Sequence, residues 1–199
     1  MVFPQAEHAR LAGAIALAWG NERFPRPALP FDAFVRGVTL HDRGYGQLDA
    51  DGIGEVAPDR WLAIQRAGFA PRGEEPVVDL VVALHVQRLV GDRDDGMTAA
   101  LPDLHRAAGV GEGDAAEADR ITNLCDRVAF DFCVEEPASG RVAGIEYTVD
   151  GHGGITLDPW PLGPSSVGGI ILGYRAEGYP AELEPVVVPF EAQPAVRAR

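Results

Sequence analysis

The sequence predicts a mainly α protein, a bundle of about five to seven helices carrying a small C-terminal antiparallel β element. Two observations lead there. Up to about residue 136, apolar residues recur at i, i+3, i+4 and i+7, the period of a helix that buries one face. Beyond Pro137 the period changes to two, and Val142, Ile145, Tyr147 and Val149 alternate ahead of a DGHGG turn. The expected organisation is a helical domain over residues 1–136 and a β-rich extension over 137–199 packed on the same domain.

Each element has its own signal. The first helix reads AEHARLAGAIALAWG, and His8, Leu11, Ala12, Ile15 and Trp19 fall on one stripe. The second reads FDAFVRGVTLHDRG. Phe31, Phe34, Val35 and Val38 lead on to His41 and Asp42, and Gly44 supplies a helix end. Pro- and Gly-rich connections occupy 25–30 and 70–76. In EPVVDLVVALHVQRLVG the stripe is Val77, Val78, Val81, Leu84 and Leu89, interrupted by His85. GDRDDGM, at 91–97, reads as a solvated connection, and LPDLHRAAG as a weaker helix containing His105. The long helix from about Asp114 to Val134 presents Ile121, Leu124, Cys125, Val128 and Phe132, with Asp126 on the flank. After the hairpin around DGHGG, which holds His152, VGGIILGYRA and PVVVPFEA read as two further short strands. QPAVRAR reads as a frayed end.

The polar interruptions carry the chemistry. His8, His41, Asp42 and Asp126 sit on or beside apolar stripes, where an imidazole or carboxylate is costly unless paired or bound to a metal. Taken singly, each has a plainer reading: a hydrogen-bonded core histidine, or an Asp that caps the next segment. Taken together, on separate helices, they can converge on one point. Two imidazoles with two carboxylates suit Mn, Fe, Co, Ni or Zn better than Mg.

The order His, then His-Asp, then Asp resembles the HD superfamily of helical metal-dependent enzymes, through His8, His41-Asp42 and Asp126. The local wording is similar to an uncharacterised bacterial family, domain of unknown function 3891. The matching stretches are QAEHARLAG, Trp19-Gly20-Asn21, the turn HDRGY, and ITNLCDR, spanning about residues 3 to 135. The chain has Tyr45 where that family's turn favours Trp. The resemblance implies an HD-like helical bundle and a divalent transition metal held by His8, His41, Asp42 and Asp126. In mononuclear HD nucleotidases, carboxylates a few residues past the dyad handle the attacking water. Asp49 and Asp51 fall in that place, and Asp49 is the candidate base.

A divalent ion so held acidifies water and polarises a phosphoryl or carbonyl oxygen. The expected activity is therefore hydrolysis of a small phosphorylated or otherwise anionic substrate. His85 is expected to line the same cavity. Arg43, after the dyad, and Arg127, after Asp126, are placed to reach substrate oxygens, although Arg127 also reads as an i, i+4 partner of Asp131. Two alternatives stand beside this. An HD-type iron oxygenase would need further histidines between the dyad and Asp126, where only His85 and His105 are available. A scaffold or sensor would hold a structural metal or none.

Composition narrows the field. The net charge of −13 argues against a sequence-independent nucleic-acid binder, which needs basic patches. All 17 basic residues are arginine, which excludes a Schiff-base lysine and a P-loop lysine. Any bound phosphate must be held by arginine or metal. No apolar run approaches a membrane span and no basic-then-apolar leader opens the chain, so a cytoplasmic protein with a small-molecule substrate is expected. A homodimer is left open. Cys125 and Cys133, eight apart on one helix, would lie about 12 Å apart, too far for a disulfide.

Overall fold

A computed structural model describes residues 1–47, 56–73 and 75–196. These residues form six α-helices: α1 (Gln5–Leu17), α2 (Phe31–Thr39), α3 (Pro58–Phe69), α4 (Pro76–Val90), α5 (Asp95–Ala108) and α6 (Glu112–Cys133). Five strands follow: β1 (Ala138–Val142), β2 (Ile145–Val149), β3 (Gly154–Asp158), β4 (Val167–Tyr174) and β5 (Pro185–Pro194). None of the described helices is long and apolar enough to cross a membrane.

The expectation of a mainly α, HD-like bundle with a small antiparallel β element is overturned by the sheet. Its five strands lie in the order β1-β2-β3-β5-β4, and it is mixed, because β5 runs parallel to β3 and antiparallel to β4. Two local features account for the misreading. The apparent single strand ahead of DGHGG is broken at Ala143 and Gly144, both at positive φ (54° and 80°), into a tight β1–β2 hairpin. Alanine is an unusual residue for such a turn, so the break carries no Asn-Gly or Asp-Gly signal. The supposedly frayed end is partly strand, since β5 runs to Pro194 and pairs along both edges.

The sheet shares its core with the helices. Ile145, Tyr147, Val149, Ile155, Leu157, Ile171, Phe190 and Ala192 point from the strands into one buried cluster. Leu11 and Ile15 of α1 and Ile121, Leu124 and Val128 of α6 meet them there. The neighbouring positions of β2 are exposed, as in a sheet with one covered face. A second cluster joins α3, α4 and α5 through Phe69, Leu80, Val82, Val86 and Leu104. Helix α4 belongs to both, because Val81 faces the first. Where Val81 meets α2, a Cβ on Gly37 would lie 2.6 Å from Val81 Cβ, so glycine sets this close helix spacing.

The Trp-Gly-Asn segment has a structural role. Asn21 Nδ2 donates to Trp160 O (3.0 Å) and Leu162 O (3.3 Å), and its Oδ1 accepts from Arg23 and Phe24 N–H. With the Trp19–Leu162 bridge, these bonds tie the end of α1 to the segment leaving β3.

Candidate metal centre

Four elements bring the polar interruptions together. His8 comes from the first turns of α1, His85 from α4 and Asp126 from α6. His41 and Asp42 lie beyond the end of α2, which stops at Thr39, in the turn that follows. Gly44 does not terminate a helix in this turn. It lets the turn press on α3, where a Cβ would stand 2.2 Å from Ile64 O and 2.9 Å from Gly68 N.

The side chains form one buried cluster. His8 Nε2 lies 3.2 Å from Asp126 Oδ1, and His8 Nδ1 lies 3.2 Å from Asp42 Oδ2 and 2.8 Å from Gln5 Oε1. His41 Nε2 lies 3.4 Å from Asp126 Oδ1 and 3.5 Å from Asp42 Oδ2. His85 Nε2 lies 3.3 Å from Asp42 Oδ1. The His41 and His85 side chains are 0% and 1% exposed, Asp42 7% and Asp126 16%. Asp126 is therefore the least enclosed of the group.

Charge in this enclosed space shifts the titrations. Burial would lower the His8 pKa, but hydrogen bonds and charge from Asp126 and Asp42 outweigh it and raise it well above the ordinary value. Burial would raise the Asp42 and Asp126 carboxyls, but the surrounding imidazoles hold both below the usual carboxylate range. His85 is lowered, by burial first and then by His41. The two carboxylates thus favour the protonated form of His8, which lies between them.

The residues fit a metal. His41 Nδ1–H donates to Val38 O at 2.6 Å, which leaves the Nε2 lone pair facing the carboxylates. Among the described residues that buried nitrogen makes no hydrogen bond. An imidazole with one nitrogen on a backbone carbonyl and the other bare is the arrangement metal-ligating histidines adopt. His8 has Gln5 Oε1 accepting from Nδ1, but its Nε2 is not bare: it lies 3.2 Å from both the backbone oxygen and Oδ1 of Asp126, so an ion there would take the place of that nitrogen's proton. Ligand atoms about 2.0–2.2 Å from one ion stand roughly 2.8–3.6 Å apart in tetrahedral or octahedral sets. The separations of 3.2, 3.4 and 3.5 Å among His8, His41, Asp126 and Asp42 lie in that interval. Two groups, His8–His41–Asp126 and His41–Asp42–His85, each have their own ligand atoms within 4.8 Å of one another; they share His41, and Asp42 falls in the second group with His85.

The other expected site residues are placed differently. Arg43, expected to reach substrate oxygens, lines the cavity beside Asp42, but its guanidinium is committed: Nε donates to Gly68 O, Nη1 to Asp79 Oδ1 and Nη2 to Ala70 O, each at 2.8 Å, and its side chain is 3% exposed. It is a clamp that holds the His-Asp turn on α3 and α4. Arg127 is 3.8 Å from Asp131, with its guanidinium over Phe130. His105 Nδ1 donates to Val110 O at 3.0 Å at the end of α5, apart from the cluster. Tyr45 accepts from Gln65 Nε2 at 3.3 Å. Asp49 and Asp51 lie outside the described residues.

Two partners of the cluster went unread in the sequence. Arg88 stands 3.0 Å from His85 Nδ1 and 3.3 Å from Asp126 Oδ2, and it also pairs with Asp119. Its signal was the i, i+3 spacing from His85, just as Gln5 is i, i−3 from His8.

Beside Asp42 opens a cavity of ≈ 370 Å³, lined among others by Glu7, Arg10, Thr39, Arg43 and Arg72. Glu7 and Arg10 pair with each other at 2.6 Å. Arg72 is exposed, and its guanidinium has no acceptor among the described residues.

Residues 1–68 match the family model described as "Protein of unknown function (DUF3891)". The match takes in His8, His41 and Asp42 and ends before His85 and Asp126. No curated protein and no solved structure matches the chain.

Proposed function

We propose that the chain is a metal-dependent hydrolase of a small anionic substrate, with phosphoesters as the first class to test. The observation that carries this reading is the bare, buried Nε2 of His41 facing two carboxylates, beside a cavity large enough for a small molecule. His8, His41, Asp42 and Asp126 would hold one divalent transition metal, of the Mn, Fe, Co, Ni or Zn kind. When bound, that ion supplies Lewis acidity toward a phosphoryl or carbonyl oxygen and toward water.

The chain's own residues do the rest. Arg72, at the cavity edge, pairs with the substrate's charge, a task that falls to arginine in a lysine-free chain. Gln5 and Val38 hold the His8 and His41 rings in orientation. Asp49, a few residues past the dyad, takes the proton from the attacking water, because Asp42 and Asp126 are committed to the ion. Kinship with the HD superfamily is part of the proposal. It is supported by the order of His8 on α1, His41-Asp42 in the turn after α2, and Asp126 on α6, and it does not depend on the mixed sheet.

The test is a phosphoester panel run on protein loaded with Mn, Fe, Co, Ni or Zn. Hydrolysis that disappears in His41→Ala supports the proposal, and Asp49→Asn should then keep the metal and lose turnover. Oxygen consumption by the iron form with no hydrolysis would replace it with the oxygenase. No activity with a bound metal would leave a scaffold.

A further inference from the structure

We infer that Arg88 fixes His85 in the tautomer with its proton on Nε2, so that His85 enters the cluster as a hydrogen-bond donor and not as a metal ligand. Arg88 Nη2 lies 3.0 Å from His85 Nδ1. A guanidinium has donors only and keeps its charge, so the nitrogen it faces must offer a lone pair. The single proton of the neutral ring then sits on Nε2. A proton on Nδ1 would set N–H against N–H in a side chain that is 1% exposed.

Arg88 cannot easily turn away. It is anchored on α6 by Asp119 and by Asp126 Oδ2, the latter at 3.3 Å. His85 Nε2 lies 3.3 Å from Asp42 Oδ1 but makes no hydrogen bond among the described residues. An oxygen brought to the cluster would compete for its proton with Asp42 Oδ1, the carboxylate oxygen 3.3 Å away.

His41 has the opposite polarity. Its Nδ1 donates to Val38 O, so its Nε2 is a lone pair. The two rings, with centroids 4.4 Å apart, therefore offer one electron-pair donor and one proton-bearing nitrogen to the same small space. The ion requires the first. The second serves a substrate oxygen that gains negative charge as the reaction proceeds, as a phosphoryl or carboxyl oxygen does. A neutral imidazole can stabilise such an oxygen by hydrogen bonding without giving up its proton. Arg88 is then a positioning residue acting through His85.

This inference rests on the hydrolase reading only for the identity of the oxygen, and its test separates the two. Long-range ¹H–¹⁵N NMR of the full chain, labelled at histidine, distinguishes a protonated Nδ1 from a protonated Nε2. His85→Gln assigns the signals. In metal-free protein we expect His85 as the Nε2–H form, and in Arg88→Met a mixture or exchange to Nδ1–H, which can turn to Asp126 Oδ2 at 3.5 Å. Zinc alone, added to wild type, should then move the His8 and His41 nitrogens and leave His85 Nε2 protonated. A wild-type Nδ1–H or doubly protonated His85, an unchanged tautomer in Arg88→Met, or a His85 Nε2 that takes up zinc would each overturn the inference. If zinc binds nowhere, the metal reading fails while the metal-free spectrum still decides the tautomer. That wild-type spectrum also decides it should Arg88→Met fail to fold.

Discussion

Removing the Asp79 carboxylate should destabilise the protein severely, although Asp79 is not itself a member of the cluster. Asp79 lies in the first turn of α4 and is 3% exposed. It accepts from Arg43 Nη1 at 2.8 Å and from the backbone N–H of Arg72 and Gly73 at 2.9 and 2.8 Å. Asp79→Ala leaves the Arg43 guanidinium buried beside an uncharged void. Breaking one side of a buried pair costs about 3–5 kcal/mol. For a chain of this size each kcal/mol moves Tm by about 2–4 °C, so the fall should be roughly 6–20 °C. Urea and thermal unfolding followed by circular dichroism measure it. The double variant Arg43→Met/Asp79→Leu should recover a large part of the loss, because neither charge is then stranded. A loss below about 1 kcal/mol in Asp79→Ala would refute the clamp.

The same group has an acid signature. Burial would raise its pKa, but the Gly73 and Arg72 N–H groups and Arg43 hold it below the ordinary value. The unfolded chain therefore binds the proton first as pH falls. The Asp79 contribution is complete above about pH 4 and is lost as pH drops through the lower folded value, so wild type should lose stability below about pH 4 more steeply than Asp79→Asn.

Two further outcomes follow from the geometry. Gly44→Ala drives a Cβ to 2.2 Å from Ile64 O, so the turn carrying His41 and Asp42 must lift from α3. The expected cost is about 1–3 kcal/mol in urea unfolding together with reduced metal content, and unchanged values would show that α3 yields freely. Arg72→Ala should raise KM for an anionic substrate by roughly tenfold while leaving bound metal unchanged, because the guanidinium lines the cavity and is not part of the cluster. An unaltered KM would remove Arg72 from substrate binding.

Much of the cluster was legible because a polar residue on an apolar stripe stands out against the helical period. His8 and His85 interrupt stripes made of Leu11 and Ile15, and of Val78 and Val81, and both prove buried. Asp126 was read on the flank of its helix and remains partly exposed at 16%. The structural commitment of Arg43 was not legible, because it is made by Asp79, 36 residues away, and by two carbonyls that a sequence does not place. The sheet was underestimated for a related reason. Pairing is non-local, and the parallel contact of β5 with β3 leaves no signature in either strand. The turn at Ala143 and Gly144 hid one strand inside another, although alternation correctly located the buried face of β2.

The proposed site of one divalent transition metal on His8, His41, Asp42 and Asp126 is open to a direct measurement. Inductively coupled plasma mass spectrometry is applied to wild type and His41→Ala, each purified without added metal and then offered equimolar zinc. About one tightly held ion per wild-type chain is expected, with at least a tenfold loss of affinity in His41→Ala and unchanged circular dichroism. Wild-type protein that holds no ion after zinc is offered, or His41→Ala that holds it as tightly, would rule out this metal site.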